Sequence, residues 1–393
     1  MAEKSFKLAV PDTELDYLRK KLDLVRFPDE LEDAGWQYGV PMDAVRRLTA
    51  RWKEGFDWRA AEAKINELPQ FTRDIEVEGF GTLNIHYVHQ KTVAKNAIPL
   101  LFVHGWPGHF LEVSKLLPLL TSDTGDDPKF HVVALSLPGF GFSEAPKKKA
   151  FMMSHYAEVG HKLMLALGYN EYVIQGGDWG YAICHSIAHL YGPKHVKAWH
   201  TNMANAGPPT FWASPLLWLR NLLTPFSPAD VKGLQQNKIW AADGRGYAAI
   251  QQTRPQTIGC FMADSPMGLL AWIYEKLVTW SDNYPWTDDE VLTWVSIYWF
   301  SRAGPAASAR IYYEFFHKSG SSLAARSTTP FGVSYFPKEL VYTPRLWMRT
   351  VGNVVFESEH ESGGHFAAYE VPEKLANDVK SLCKLESVSK AFK

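Results

Sequence analysis

The stretch VIQGGDWGYA, residues 173–182, sets a carboxylate where an apolar run turns into a stretch of helical period. Gly176-x-Asp178-x-Gly180 has the spacing of a nucleophile elbow, a strained strand-to-helix turn that exposes its central side chain. Glycines two before and two after permit the tight turn, and the helix N-terminus that follows favours an ionised carboxylate. An N-cap aspartate fits the same residues. If Asp178 is a nucleophile, its residue type selects the reaction. Serine attacking a saturated carbon would leave an ether, which a histidine–acid pair cannot hydrolyse. Aspartate leaves an alkyl ester whose carbonyl is its own, and activated water can cleave it. Asp178 therefore points to displacement at saturated carbon, either opening an epoxide or expelling a halide.

Other stretches supply what such a nucleophile needs. FVHGWPGHF ends an earlier apolar run, and LPGFGFS adds a Gly-rich turn after the next. In the α/β-hydrolase fold one oxyanion N–H comes from the residue after the nucleophile, here Trp179, and the other from an upstream loop, which Trp106 fits. The order nucleophile, acid, histidine then asks for a histidine after the last strand, and ESGGHFAA offers His365. The acid belongs after the penultimate strand, where GVSYFPKEL offers Glu339. Glu357, Glu359 and Glu361 compete with it, but they lie on or just after the last strand and are expected to face solvent. No metal is expected. His185 and His189 lack the adjacent glutamate of a zinc helix, and His360-Glu361 precedes His365 by one residue too many.

The elements that must position these residues can be read in the same pass. Four short apolar runs, AIPLLFV, HVVALSL, YVIQ and VKAWHT, alternate with helical stretches, which means a parallel sheet covered on both faces. Two more strands, FGVSYF and NVVFES, precede an amphipathic helix with Leu375, Val379 and Leu382. The predicted organisation is an N-terminal meander of helices and a hairpin (1–95), a first part of the α/β core (96–206), a helical lid (207–320) and a second part of the core (321–393). In the meander, helices starting at Pro11-Asp12 and Pro41-Met42 carry Leu15, Leu18, Leu22 and Val45, Leu48, Trp52 on their inner faces. In the hairpin Leu83, Ile85 and Tyr87 alternate with Asn84, His86 and Val88 about a turn at residues 79–81.

Composition narrows the function classes. The chain has 393 residues, 46% of them hydrophobic, ample for a large core, and a formal charge of −1 that gives no field to draw nucleic acid or an anionic membrane. Lys147 to Lys149 read as a solvated loop. Cys184, Cys260 and Cys383 are too scattered for a disulfide framework, Cys184 and Cys260 reading as small core residues, and a reducing cytoplasm is expected. No secretory h-region and no spanning apolar run is apparent. The most apolar segment, residues 211–226, contains Arg220 and two prolines and reads as a buried lid helix.

Taken together, the chain resembles the microsomal-type epoxide hydrolases of the α/β-hydrolase superfamily, especially the soluble fungal members. The likeness covers nearly the whole chain, through LDLVRFPDELEDAGWQYGVP, HGWPG, GGDWG, GYAAIQQTRPQTIGCFMADSPMGLLAWIYEK, RIYYE, FPKE and GGHFAA. It implies cofactor-free conversion of epoxides to vicinal diols, with Tyr247 and Tyr312 as lid tyrosines holding the epoxide oxygen. Tyr313 is adjacent, but consecutive helical residues point ~100° apart, so one of the pair faces the site. The resemblance also implies a homodimer through the N-terminal segment or lid. The Trp- and Phe-rich lid suggests an apolar or aryl epoxide. Two other classes stay open: a haloalkane or haloacid dehalogenase, against which the tyrosines argue, and a non-catalytic binding protein of the same fold, against which the triad argues. Tyr181 and a loop at residues 326–329 depart from the family pattern and are expected to alter packing alone.

Overall fold

The structure is a computed structural model and describes residues 3–317 and 326–392. The apolar runs pair into one nine-stranded sheet: β1 (Lys4–Ser5), β2 (Gln70–Val77), β3 (Gly81–Gln90), β4 (Ile98–Val103), β5 (Phe130–Leu135), β6 (Tyr172–Gly176), β7 (Val196–Thr201), β8 (Ser327–Tyr335) and β9 (Gly352–Glu359). Their order is β1-β2-β3-β5-β4-β6-β7-β8-β9. β1 to β3 add antiparallel to one edge, and the six strands from β5 to β9 run parallel. Side chains alternate across the pleat. Leu101, Val103, Val133 and Ile174 enter one apolar cluster, and their neighbours Leu100, Phe102, Val132 and Val173 enter another on the opposite face. That double burial is why these strands read as continuous apolar runs.

The N-terminal helices form where the spacing predicts, at Asp12–Asp23 and Met42–Glu54, with the six named apolar residues buried. A third, Trp58–Ile65, is capped by Asp57, whose side chain accepts from Ala60 N–H. The hairpin differs from its predicted alternation. His86 and Val88 are as buried as Ile85 and Tyr87, because a second apolar layer covers their face too, with Phe6, Phe110 and Phe142 packed on His86. His86 is satisfied there by Ser136 and Gln70, and burial pushes its pKa down to about 3.

Between β7 and β8 the described chain is helical, from Pro215–Leu223 through Arg310–His317. The predicted end of this lid, Gly320, lies outside the described residues. Its inner helices, Pro266–Thr279 and Asp288–Trp299, bury Leu269, Leu270, Leu277 and Leu292 completely. Arg47 with Asp288, Arg51 with Asp289 and Lys21 with Asp264 tie the N-terminal helices to the lid across the surface.

Three expectations are corrected. The stretch 211–226 is not buried: helix Pro215–Leu223 has no buried residue, and Trp212 is 92% and Leu216 82% exposed. Cys260 is exposed, whereas Cys184 and Cys383 are buried. Ser327 to Thr329 belong to β8, not to a loop, and both the Ser327 and Thr329 hydroxyls donate to the Ala188 carbonyl at the end of the elbow helix. No helix among the described residues is long and apolar enough to cross a membrane.

Candidate active site

Parallel register gathers the loops. Val103 at the end of β4 pairs with Gly176 at the end of β6, so the HGWPG turn and the elbow leave the sheet side by side. At the other side Tyr335 pairs with Glu359, and a bridge from Lys338 to Gly364 joins the loops that carry Glu339 and His365. All four leave from the carboxyl edge, where open α/β sheets bind ligands.

Asp178 has φ 52° and ψ −126°, a strained conformation for a residue with a side chain. It precedes the helix Trp179–Tyr191 but makes no side-chain cap bond, so it is not an N-cap aspartate in its interactions. The glycines explain themselves by distance. A Cβ on Gly180 would lie 2.0 Å from the Val103 carbonyl oxygen, and one on Gly105 would lie 2.2 Å from Asp178 Oδ1. Gly180 thus lets the helix settle onto the strand end, and Gly105 makes room for the carboxylate.

The Trp106 N–H donates to Asp178 Oδ1 at 2.7 Å. Burial raises the Asp178 pKa, while His365 and the Trp106 and Trp179 N–H groups oppose the rise. The turn bearing Trp106 is held from the lid: Trp294 Nε1 donates to the Pro107 carbonyl at 2.6 Å and the Tyr298 hydroxyl to the Gly108 carbonyl at 2.7 Å.

His365 Nε2 lies 3.7 Å from Asp178 Oδ2, and its Nδ1 lies 2.7 Å from Glu339 Oε1. Glu339 Oε1 also accepts the Leu340 N–H at 2.6 Å. Burial works to lower the His365 pKa, but the Glu339 charge and hydrogen bond, then Asp178 and Glu112, outweigh it and push it up to about 9. Trp280 closes over the imidazole edge-on at 5.1 Å, and its carbonyl accepts the His365 N–H.

Tyr247 and Tyr312 come together from two lid helices, Gly246–Thr253 and Arg310–His317, with ring centroids 6.0 Å apart. Tyr247 stacks on Trp106 at 5.2 Å, and Tyr312 stands edge-on to Trp179 at 4.7 Å. Both are buried, which raises their pKa values and keeps both hydroxyls protonated. They lie close enough to affect each other's ionisation, and the Tyr312 hydroxyl, beside the Tyr247 hydroxyl and the Trp179 indole, makes no short hydrogen bond among the described residues. Tyr313 points outward and stacks on His317.

The other candidates lie elsewhere. Glu357 accepts from Tyr335 and pairs with Arg349, Glu359 pairs with Arg345, and Glu361 is exposed. His360 bonds Asp378, and His185 lies near the Val351 carbonyl. No cluster of three or more His, Cys, Asp or Glu suited to a metal occurs among the described residues. Sequence reasoning missed Glu112, which lines the small cavity beside Asp178, and Asn202, whose amide approaches the His365 carbonyl. For Glu112 the one available signal was an acid four residues beyond Gly108.

Asp178 separates two cavities. The larger, about 690 Å³, is lined by Asp178, Trp179, Tyr247 and Tyr312 at its base and by Trp240 and Phe316 farther out. The smaller, about 10 Å³ to the centre of a water-sized sphere, lies among Asp178, His365, Glu112, Gly105 and Gly108. The first can take a small apolar molecule and the second about one water.

Two family profiles match the chain: "Epoxide hydrolase N terminus" over residues 3–113 and "alpha/beta hydrolase fold" over residues 98–242. A putative epoxide hydrolase of Stigmatella aurantiaca is 38% identical over 387 residues, covering 95% of this chain and 83% of that protein. Epoxide hydrolase 1 of Sus scrofa is 35% identical, covering 97% of this chain and 88% of its own length. The solved structure of the Aspergillus niger epoxide hydrolase superposes with a TM-score of 0.84 at 33% identity, covering 98% of this chain and 96% of that one.

Proposed function

The chain belongs to the epoxide hydrolase family of α/β-hydrolase-fold enzymes, and on that premise we propose that it converts epoxides to vicinal diols through an ester on Asp178. The observation that carries this route is the juxtaposition in one cavity of an elbow carboxylate and two buried tyrosine hydroxyls.

The Asp178 carboxylate, with Oδ1 held by Trp106 N–H, attacks an epoxide carbon through Oδ2. The ring C–O bond breaks, and the departing oxygen takes a proton from Tyr247 or Tyr312. Hydroxyls aimed at developing charge accelerate such a step because their hydrogen bonds strengthen in the transition state. Ester formation removes the Asp178 charge, one of the influences that hold the His365 proton. That proton leaves and restores the tyrosine, and the imidazole becomes a base.

His365, oriented by Glu339, then takes a proton from water as the water oxygen attacks Asp178 Cγ. The Trp106 and Trp179 N–H groups stabilise the oxyanion, the ester C–O bond breaks, and the diol leaves with the carboxylate and imidazolium restored. A single turnover in oxygen-18 water tests the route: unlabelled oxygen is expected in the first diol and label in Asp178. Label in the first diol would mean that water attacks the epoxide directly. Halide release from a haloalkane panel tests the dehalogenase reading, and none is expected.

Aromatic lining by Trp179, Trp240, Phe315 and Phe316 supports apolar or aryl epoxides as substrates. We also read the protein as a cytoplasmic homodimer. The exposed apolar stretch 211–226 supports the dimer, and three free cysteines support the reducing compartment. Light scattering coupled to size-exclusion chromatography checks the first, and a monomer at micromolar concentration overturns it.

A further inference from the structure

Behind the nucleophile sits a carboxyl that the route above does not use. Glu112 lies in the 3-10 turn Phe110–Lys115, just after the HGWPG stretch. It makes no ion pair among the described residues, and its side chain lines the one-water cavity that also meets Asp178 and His365. A partly buried carboxyl without a direct ion pair is costly, and the fold makes room for this one. A Cβ on Gly108 would lie 1.7 Å from Glu112 Oε1. So the two glycines of HGWPG serve two carboxyls, Gly105 for Asp178 and Gly108 for Glu112.

Burial raises the Glu112 pKa to about 8, with the Asp178 charge adding to the rise and His365 and the His109 N–H opposing it. At neutral pH the balance at Glu112 lies toward the protonated acid, whose carbonyl oxygen can accept a hydrogen bond from water. Two cavities that share one carboxylate also suit a two-step reaction. The epoxide approaches from the tyrosine side, and the alkyl group of the ester then fills that side. Water needs another approach to Asp178 Cγ, and the small cavity provides one beside the base.

We infer that Glu112, facing His365 across the small cavity, positions the water that hydrolyses the Asp178 ester, accepting a hydrogen bond from one of its O–H groups while His365 takes the proton of the other. The inference rests on the ester route and concerns its second step. The group contacts the attacking water and not the epoxide, so its removal should act on one half-reaction.

The test is single-turnover kinetics with styrene oxide, following ester formation and decay separately by quenched-flow mass measurement of the intact protein. Glu112→Leu is expected to slow ester decay about 10²-fold, the cost of a misplaced reactant, and to change ester formation by less than about three-fold. Glu112→Gln keeps an amide carbonyl at the same reach and should recover about ten-fold of the loss. Gly108→Ala, which drives a methyl against Glu112, should slow decay in the same selective way. Decay at the wild-type rate in Glu112→Leu overturns the inference, as does equal slowing of both steps, which would mark a packing role. If wild-type protein forms no ester at all, the ester route itself falls, an outcome separable from either of these.

Discussion

The two halves of the active site are built on opposite terms. On the sheet side every reactive group is held by short hydrogen bonds: Asp178 by Trp106 N–H at 2.7 Å, His365 by Glu339 at 2.7 Å and Glu339 by Leu340 N–H at 2.6 Å. On the lid side Tyr247 and Tyr312 are held chiefly by ring packing on Trp106 and Trp179, and the Tyr312 hydroxyl makes no short hydrogen bond among the described residues. The difference follows from what each half must do. On the proposed route the nucleophile, base and acid act on one another through both steps, so their geometry belongs inside the protein. On the same route the tyrosines act on an oxygen that arrives with the substrate, and a donor already satisfied would have to be freed first. Substitutions in the two halves should therefore differ in kind as well as in size.

The largest effect is expected at Asp178. Asp178→Ala should abolish diol formation, a loss on the order of 10⁵-fold or more, and give no mass increase with any epoxide while the protein stays folded by circular dichroism. Residual turnover near wild type would remove the nucleophile from the sheet half. Next comes His365→Gln, which should still alkylate but accumulate the ester, raising the protein mass by one substrate and slowing release by about 10⁴-fold. Ester decay at the normal rate there would show that another base serves.

Glu339→Gln should slow ester decay less, by about 10²–10³-fold, because it orients the histidine and does not carry the proton away. It should also leave a pH signature. The His365 pKa is raised from its usual value to about 9, in large part by Glu339. The folded state therefore binds that proton more tightly than the unfolded chain. The resulting stability is full below about pH 6.5 and is lost as pH rises through about 9. Chemical denaturation between those values should show wild type losing stability with pH more steeply than Glu339→Gln. Parallel slopes would mean that the pair contributes nothing to the charge on His365.

How far each half could be read from sequence follows the same division. Asp178, Trp106, Glu339 and His365 sit at fixed offsets from strand ends, so identifying the strands locates them. Tyr247 and Tyr312 belong to separate helices that only tertiary packing brings within 6.0 Å, and spacing alone could not pair them. They entered through family resemblance. Glu112 escaped because its reach toward Asp178 depends on the absence of a side chain at Gly108. The stretch 211–226 misled in the other direction. Its hydrophobicity suggested burial, but hydrophobicity reports a preference for leaving water and does not say which surface will be met. Likewise the alternation that set His86 and Val88 apart from Ile85 and Tyr87 could not show that Phe6, Phe110 and Phe142 cover the second face as well.

The smallest expected change in activity carries the sharpest contrast, because it reverses sign between activity and stability. Tyr312→Phe removes an oxygen and keeps the ring, so packing against Trp179 and Trp106 should persist. Ester formation should slow by about 10–10²-fold, the low end for a general acid because Tyr247 remains, and ester decay should hardly change. Stability should move the other way. A buried hydroxyl that makes no short hydrogen bond recovers little of a desolvation cost of about 1–3 kcal/mol, so the variant should be more stable by about 1 kcal/mol, a rise of about 2 °C in Tm for a chain of this size. Tyr313→Phe alters an outward ring stacked on His317 and should leave rate and Tm near wild type. Calorimetry alongside single-turnover kinetics reads both quantities. A Tyr312→Phe protein both slower and less stable would mean that its hydroxyl is satisfied in the free enzyme, and the contrast between the two halves of the site would collapse.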